Sequence, residues 1–312
     1  MKILVTGGAG FVGSHLIDLL ISKNYKVVAV DNLSLGKMEN INHLIKNKKF
    51  KFIKENLLNL YKLKEIFENN NFDTVFHLAA NSDIQNSAKN PCIDLENSFM
   101  TTWNTLECCR FFHVNKFIFA SSSAIYGDTM EELTEDFGPL FPISYYGAAK
   151  LASEGFISAY SYMNNIQTWI VRFSNVVGGR VTHGVIYDFI RKLRNNPNEL
   201  EILGNGKQKK PYIYVKDLVK AIFFIYQKAK NRLNYFNIGI ESQTTVSEIA
   251  QIVCEEIGLR NVKLKYTGGN IGWKGDVPHF KYNLSKIHQL GWEAKHSSTE
   301  AVRIAVRRVL GK

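Results

Sequence analysis

Tyr146 and Lys150 stand four residues apart in Tyr146-Gly147-Ala148-Ala149-Lys150, a segment introduced by Pro142, Ile143 and Ser144. On a helix, residues at that spacing share a face, so both side chains can point into one cleft. A nearby ammonium lowers a phenol's pKa, and a tyrosinate near neutral pH can take a hydroxyl proton as hydride leaves the same carbon. Tyr145 has no such partner, because Ala149 follows it at the same interval. Taken alone, the pair is at least as well read as an exposed helix pair.

Two further clusters stand upstream. Phe119-Ala120-Ser121-Ser122-Ser123-Ala124-Ile125-Tyr126-Gly127 places a serine run at the end of an apolar stretch. In an open α/β sheet that is the carboxyl edge, where ligands bind, and a hydroxyl there can hydrogen-bond a reacting oxygen. By itself the run reads better as a serine-rich turn. Near the N-terminus, Thr6-Gly7-Gly8-Ala9-Gly10-Phe11-Val12-Gly13 precedes the helical pattern Ser14-His15-Leu16-Ile17-Asp18-Leu19-Leu20. Glycines at 7, 10 and 13 permit a tight turn and let backbone N–H groups approach a pyrophosphate, with the helix N-terminus adding partial positive charge. Asp31, about 20 residues on, completes the dinucleotide fingerprint. A carboxylate there accepts hydrogen bonds from ribose hydroxyls and repels a 2′-phosphate, which favours NAD over NADP.

These residues require elements that present them. Apolar runs over Lys2–Thr6, Lys26–Asp31, Phe50–Lys54, Thr74–Ala79, Lys116–Ser121 and Thr168–Phe173 read as strands separated by helical patterns. Runs rich in Val, Ile and Phe without polar alternation suit strands buried on both faces, so a doubly wound parallel sheet of the Rossmann type is expected. Beyond about Asn175 the alternation decays into a helix (Val185–Arg194), a Gly204-Asn205-Gly206 turn, a helix (Val215–Lys228) and two later helices. The expected division is a dinucleotide-binding domain over 1–174 and a smaller, mixed α/β substrate lobe over 175–312, interleaved with the first. A cleft should lie between them.

Bulk properties limit the function classes. The chain has 312 residues, 45% hydrophobic and 21% charged, with a formal charge of +11. The basic residues are spread over the whole length with no basic arm, so nucleic acid is not the expected partner. A solvated basic surface is the simpler account, and attraction of a polyanionic small substrate the functional one. Cys92, Cys108, Cys109 and Cys254 show no metal-ligand spacing, so no metal is expected and the thiols read as free in a reducing compartment. No window is uncharged and long enough to span a bilayer, and glycine interrupts the N-terminus too early for a leader; a soluble, cytoplasmic protein is expected.

In this order and at these intervals, the motifs resemble the extended short-chain dehydrogenase/reductase family, in its nucleotide-sugar epimerase and dehydratase group, and stand closest to the UDP-glucose 4-epimerase branch. Phe76-His77-Leu78-Ala79-Ala80, Arg172-Phe173-Ser174-Asn175-Val176-Val177-Gly178, Pro211-Tyr212-Ile213-Tyr214-Val215-Lys216-Asp217-Leu218 and Trp273-Lys274-Gly275-Asp276-Val277-Pro278 extend the likeness over essentially the whole chain. The resemblance implies Tyr146 as base, Lys150 as ligand of the nicotinamide ribose, and Ser122 as the catalytic hydroxyl, four residues before Tyr126; Ser123 is the fallback. It implies NAD held by Gly7, Gly10, Phe11, Val12, Gly13, Asp31, Asn32, Ala79, Ala80 and Phe173, together with Tyr146 and Lys150. A nucleotide-diphosphate sugar, UDP-linked, would meet Ser122, Ser123, Asn175, Leu203, Lys210, Tyr212, Asp276 and Phe280. A homodimer built on the helices near Asn97–Phe112 and Tyr146–Tyr162 is also implied.

Departures from the family pattern bear on the reaction. Lys210-Pro211 stands where an arginine is usual, and Trp273-Lys274-Gly275-Asp276 where Arg-Pro-Gly-Asp often stands. Lysine keeps the charge without the bidentate fork; Arg180 or Lys274 would compensate, and Trp273 would stack on a base or sugar. The 4,6-dehydratases follow the catalytic hydroxyl with a carboxylate pair that serves elimination as acid and base. Here Ser123 and Ala124 occupy those places, with Glu131 and Glu132 further along. The expectation is an NAD-dependent nucleotide-sugar 4-epimerase acting through a transient 4-keto sugar, with a dehydrogenase, 4,6-dehydratase or decarboxylase of another nucleotide sugar as the alternative. The bulk of Phe280 favours hexoses or uronic acids over N-acetyl sugars.

Overall fold

In the first half of the chain run β1 (Lys2–Thr6), α1 (Phe11–Ser22), β2 (Lys26–Asp31), β3 (Phe50–Lys54), α2 (Leu60–Glu68), β4 (Thr74–His77), α3 (Ile84–Ser87), α4 (Cys92–Asp94), α5 (Thr101–Phe111), β5 (Lys116–Ser122), β6 (Glu132–Leu133), α6 (Tyr145–Met163) and β7 (Gln167–Phe173). The second half holds β8 (Asn175–Val177), α7 (Val185–Asn195), β9 (Glu199–Ile202), β10 (Lys209–Lys210), β11 (Tyr212–Tyr214), α8 (Val215–Lys228) and β12 (Leu233–Ile238). It closes with β13 (Thr244–Thr245), α9 (Val246–Ile257), β14 (Lys263–Tyr266), β15 (Lys281–Tyr282), α10 (Ser285–Leu290) and α11 (Ser298–Val309). The computed structural model describes residues 1–272 and 275–312, Asn86 by its backbone alone. Trp273 and Lys274, to which the sequence gives a stacking and a compensating role, lie outside the described residues.

Seven strands form one sheet in the order β12-β7-β5-β4-β1-β2-β3, every pair parallel. This is the doubly wound Rossmann-type sheet that the apolar runs call for. Successive strand residues feed two cores: Ile3, Val5, Val27 and Ala29 face α1 and α8, while Leu4, Val28 and Val30 face α2 and α5. Order reverses at β1 and β4, so their carboxyl ends splay apart and open a crevice. The run Thr74–Ala79 is strand only to His77; the Leu78 N–H still bonds the Thr6 carbonyl at 3.2 Å, and the chain then passes the first glycine loop.

The edge strand β12 was not anticipated. Its sequence, Leu-Asn-Tyr-Phe-Asn-Ile, carries two asparagines that break the apolar run, yet both are buried. The Asn234 amide donates to the Thr168 and Asn231 carbonyls, and the Asn237 amide donates to Leu133. With β12 in the sheet and α8 packed on α1, residues 215–238 cross the expected boundary at 174 and return to the first body. What remains is a smaller lobe of α7, α9, α11 and two-stranded ladders, β8–β11, β9–β14 and β10–β13. One more ladder, β6–β15, ties the loop after β5 to the C-terminal segment.

Candidate active site

The glycine turn sits where β1 and β4 diverge. Gly7 has φ +66°, and a Cβ on it would lie 2.8 Å from the Ala79 N, so both conformation and space require glycine there. Gly10 caps α1 without a side-chain bond and no acidic residue occupies the first turn, which leaves the N–H groups of Phe11, Val12 and Gly13 as a ready anion cradle. Asp31, at the end of β2, is 8% exposed. Its two oxygens accept the N–H groups of Ala9, at 3.0 Å, and Leu33, at 2.8 Å. Burial raises its pKa, and those N–H bonds with Gly10's oppose the rise. Asp31 thus braces the glycine turn. Asn40, which the sequence did not flag, donates to the Ala9 carbonyl at 2.8 Å and holds the turn from the other side.

Asn32 is half-buried and caps its own turn through Ser34, at 3.0 Å. Ala79 and Ala80 are half-buried just past β4, and Ala79 is fastened to the Thr6 hydroxyl at 3.3 Å. Phe173 closes β7 in register with Ser122 on β5. Every NAD-assigned residue except Tyr146 and Lys150 is therefore on the turn, on α1 or at a strand end along one edge of the sheet. The free N–H donors of the cradle suit a pyrophosphate, and Gly7, Gly10 and Gly13 stand where a Cβ would press on the chain's own backbone.

Ser122 ends β5. Its Oγ accepts the Ala124 N–H at 3.2 Å as the chain enters a short 3-10 turn, and it is within hydrogen-bonding reach of the Tyr146 hydroxyl. The approach depends on Gly147, where a Cβ would come within 2.4 Å of the Ala124 carbonyl. Ser144 caps α6 through the Gly147 N–H at 3.1 Å, fixing the helix start against that turn. Lys150 lies one turn on, 2% exposed, its Nζ donating to the Ala120 carbonyl at 2.6 Å and standing 4.6 Å from the Phe119 ring centroid. The Tyr146 ring is 5.7 Å from the same Nζ, so the two share one cleft.

The electrostatics differ from the simple expectation that the ammonium lowers the phenol. Burial pushes the Tyr146 phenol up to about 12, against the Ser122 hydrogen bond, while burial pushes Lys150 down to about 7, against the charges of Asp94 and Glu154. Desolvation is the largest influence on each partner. His77, at the end of β4, is buried between Phe117 and Phe119, with ring nitrogens 2.9 Å from the Thr6 and 3.1 Å from the Thr102 hydroxyl; burial holds it down to about 3, so it stays neutral.

A buried polar cluster underlies these groups, and the sequence did not announce it. Arg172 on β7 binds Glu154 on α6 through three contacts of 2.6 to 3.2 Å, the Tyr126 hydroxyl at 2.9 Å and the Glu135 carbonyl at 2.7 Å. Glu154 also accepts the Ser121 hydroxyl at 2.5 Å, one residue before Ser122, and Tyr126 donates to Asn237 on β12 at 2.7 Å. The cluster clamps α6 to the ends of β5, β7 and β12.

The smaller lobe brings most of the remaining candidates together. β8 pairs with β11 so that Asn175 stands opposite Tyr212, and their side chains hydrogen-bond. The Lys210 ammonium meets the Asp276 carboxylate at 2.5 Å, and the Gly272 N–H meets its other oxygen at 3.1 Å. Asp276 also acts electrostatically on Tyr212, which places these residues in one patch. Leu203 is 37% exposed and neighbours Gly272. Phe280 is buried against Tyr282, centroids 5.3 Å apart; Tyr282 leads on to Tyr126, at 6.1 Å, and faces Ser123. Arg180, which the sequence suggested as a replacement for the missing arginine, is ion-paired with Asp18 on α1 at 2.9 Å. Of the loop carboxylates, Glu131 is exposed and Glu132 is tied to Lys281 at 2.7 Å on the surface. Neither is held against Ser122.

A parallel doubly wound sheet with a glycine cradle at its switch point, and a Ser/Tyr/Lys set at the same edge, defines a dinucleotide-dependent enzyme of the extended short-chain dehydrogenase/reductase type. The sequence profile of the NAD dependent epimerase/dehydratase family matches residues 3–239, and the chain belongs to that family. NAD is accordingly its cofactor. A putative UDP-glucose 4-epimerase of Methanocaldococcus jannaschii is 35% identical over 97% of both chains. A crystal structure of a UDP-galactose 4-epimerase superposes with TM-score 0.88 at 38% identity, covering 99% of this chain and 98% of that one. The Thermotoga maritima UDP-glucose 4-epimerase, solved with UDP-glucose, gives 0.88 at 34% identity with the same coverage. Curated relatives also include dTDP-D-glucose 4,6-dehydratases and UDP-glucuronic acid decarboxylases, so family membership alone leaves the reaction open.

Proposed function

We propose that the protein is an NAD-dependent 4-epimerase of UDP-hexoses. The observation that carries this reading is the set of groups around Ser122: a hydroxyl partner in Tyr146, an ammonium in Lys150, and no carboxylate at 123 or 124 or in reach from Glu131 and Glu132. Elimination requires such an acid and base; inversion at C4 requires only a group to take and return the 4-hydroxyl proton. The similarity to the UDP-glucose and UDP-galactose epimerases supports the same choice.

NAD, held by the Gly7–Gly13 turn and Asp31, would supply a reversible store for the hydride of C4 and a positive ring near the phenol. Tyr146 takes the 4-hydroxyl proton, Ser122 shares the hydrogen bond to that oxygen, and Lys150 orients the ribose and lends positive charge that favours the phenolate. Asn175, Tyr212, Lys210 and Asp276 hold the nucleotide diphosphate, leaving the sugar free to turn over once C4 is a ketone. Phe280, backed by Tyr282, limits the sugar subsite to hexoses and uronic acids. The exposed apolar residues of the α5–α6 side, among them Phe111, Phe156 and Tyr162, support pairing of two copies there.

The test is incubation of pure protein with UDP-glucose or UDP-galactose without added oxidant. Each should convert into the other, and Tyr146→Phe should lower kcat by about 100-fold or more. Net NADH, a 4-keto-6-deoxy sugar, or carbon dioxide from UDP-glucuronate would overturn the assignment.

A further inference from the structure

Asp94 ends α4, where the helix passes into a π-helical segment, Leu95–Met100, and it is fully buried. One of its oxygens accepts the Asn81 amide at 2.9 Å and the Ser98 hydroxyl at 3.4 Å. The other, Oδ2, has no hydrogen-bond partner among the described residues. A buried carboxylate with an open oxygen is costly unless positive charge stands near it. α4 packs against α6, and the groups of α6 that feel the Asp94 charge are Lys150 and Tyr146. We propose that Asp94 is a positioning residue of the reaction: without touching substrate, it supplies the negative charge that holds Lys150 as an ammonium beside Tyr146.

The other charged groups around Lys150 leave this task to Asp94. Glu154, on Lys150's own helix, is largely neutralised by Arg172 from β7. His77 from β4 is neutral. Glu107 on α5 is paired with Arg110 at 2.9 Å, and Glu96 in the π-helical segment is exposed. Asp83, ahead of α3, is half-buried and donates its N–H to Asn81. In agreement, Asp94 is the largest influence keeping the proton on Lys150 against burial, ahead of Glu154. A purely architectural role would ask only for an acceptor for Asn81 and Ser98, which an asparagine carbonyl provides equally well.

The inference rests on Tyr146 and Lys150 being the proton-handling pair, and the experiment separates the two ideas. Asp94→Asn and Asp94→Thr, both neutral but of different shape, are compared with wild type and Asp94→Glu as NAD-bound enzymes. Removing a negative charge lowers the pKa of every neighbour, so both limbs of the pH profile of kcat should move about one pH unit to lower pH in the neutral variants. Asp94→Glu should keep the wild-type profile. In enzyme labelled with 15N-lysine, the Lys150 resonance, identified by its loss in Lys150→Arg, should titrate at lower pH in the neutral variants. A lower rate with an unmoved profile and an unmoved Lys150 titration would overturn the proposal, as would failure of both neutral variants to fold. If wild type shows no epimerisation, the epimerase reading falls while the Lys150 titration still decides the role of Asp94.

Discussion

Glu154→Gln isolates the buried cluster under the catalytic serine. The side chains of Arg172 and Glu154 are 9% and 7% exposed and meet at 2.6 Å, so the guanidinium depends on this carboxylate for its counter-charge. Burial works against the Arg172 charge, and the Glu154 hydrogen bonds and charge more than restore it, raising the arginine above its ordinary pKa. A glutamine keeps the shape but turns an N–H donor toward the guanidinium, leaving a buried cation unpaired. Breaking one partner of such a pair costs about 3–5 kcal/mol. Glu135 lies in the same cluster and feels the Arg172 charge, which places the expected loss near about 3 kcal/mol. The assay is urea unfolding at pH 7: the midpoint should fall with the slope unchanged. The Glu154→Met/Arg172→Met double variant should be more stable than Glu154→Gln, since it removes both charges of the pair and leaves no buried guanidinium without its carboxylate. The Ser121 hydroxyl exchanges its 2.5 Å carboxylate acceptor for a weaker neutral amide oxygen, so Ser122 shifts and kcat falls. A stability loss under about 1 kcal/mol with kcat intact would refute the claim that this pair holds the site together.

Burial lowers His15 from 6.5 to about 4 and His77 to about 3, so the unfolded chain binds protons that the folded one refuses. Stability should therefore fall as pH drops from 6.5 through these values, and His15→Gln should remove about one proton from the slope of the denaturation midpoint against pH. Gly7→Ala forces a side chain to within 2.8 Å of the Ala79 backbone at φ +66°; the purified variant should carry much less NAD, measured after acid extraction, and NAD content equal to wild type would contradict the cradle. Phe280→Ala removes the ring that packs on Tyr282 at 5.3 Å, and turnover of UDP-N-acetylglucosamine relative to UDP-glucose should rise, with an unchanged ratio refuting the sugar-subsite role.

The amino-acid sequence alone determined those features whose parts lie within one element or one strand–turn–helix unit. Gly7, Gly10 and Gly13 are read from neighbours in the chain, Asp31 from its distance along a single βαβ unit, and Tyr146 with Lys150 from the helical repeat. Short-range geometry leaves such residues little freedom, so their spacing already implies their arrangement. Lys210 and Asp276 were both named, yet their 2.5 Å contact joins positions 66 residues apart and follows only from the folding of the smaller lobe. Tertiary structure alone placed the Tyr126–Asn237 bond, 111 residues apart, the Arg172–Glu154 clamp, and β12, whose asparagines look like surface residues until the fold supplies their partners. Asp94 is the clearest case. In sequence it is an ordinary acidic residue after a proline; only the packing of α4 on α6 withdraws it from water, and burial turns a solvated carboxylate into a charge that its neighbours must answer.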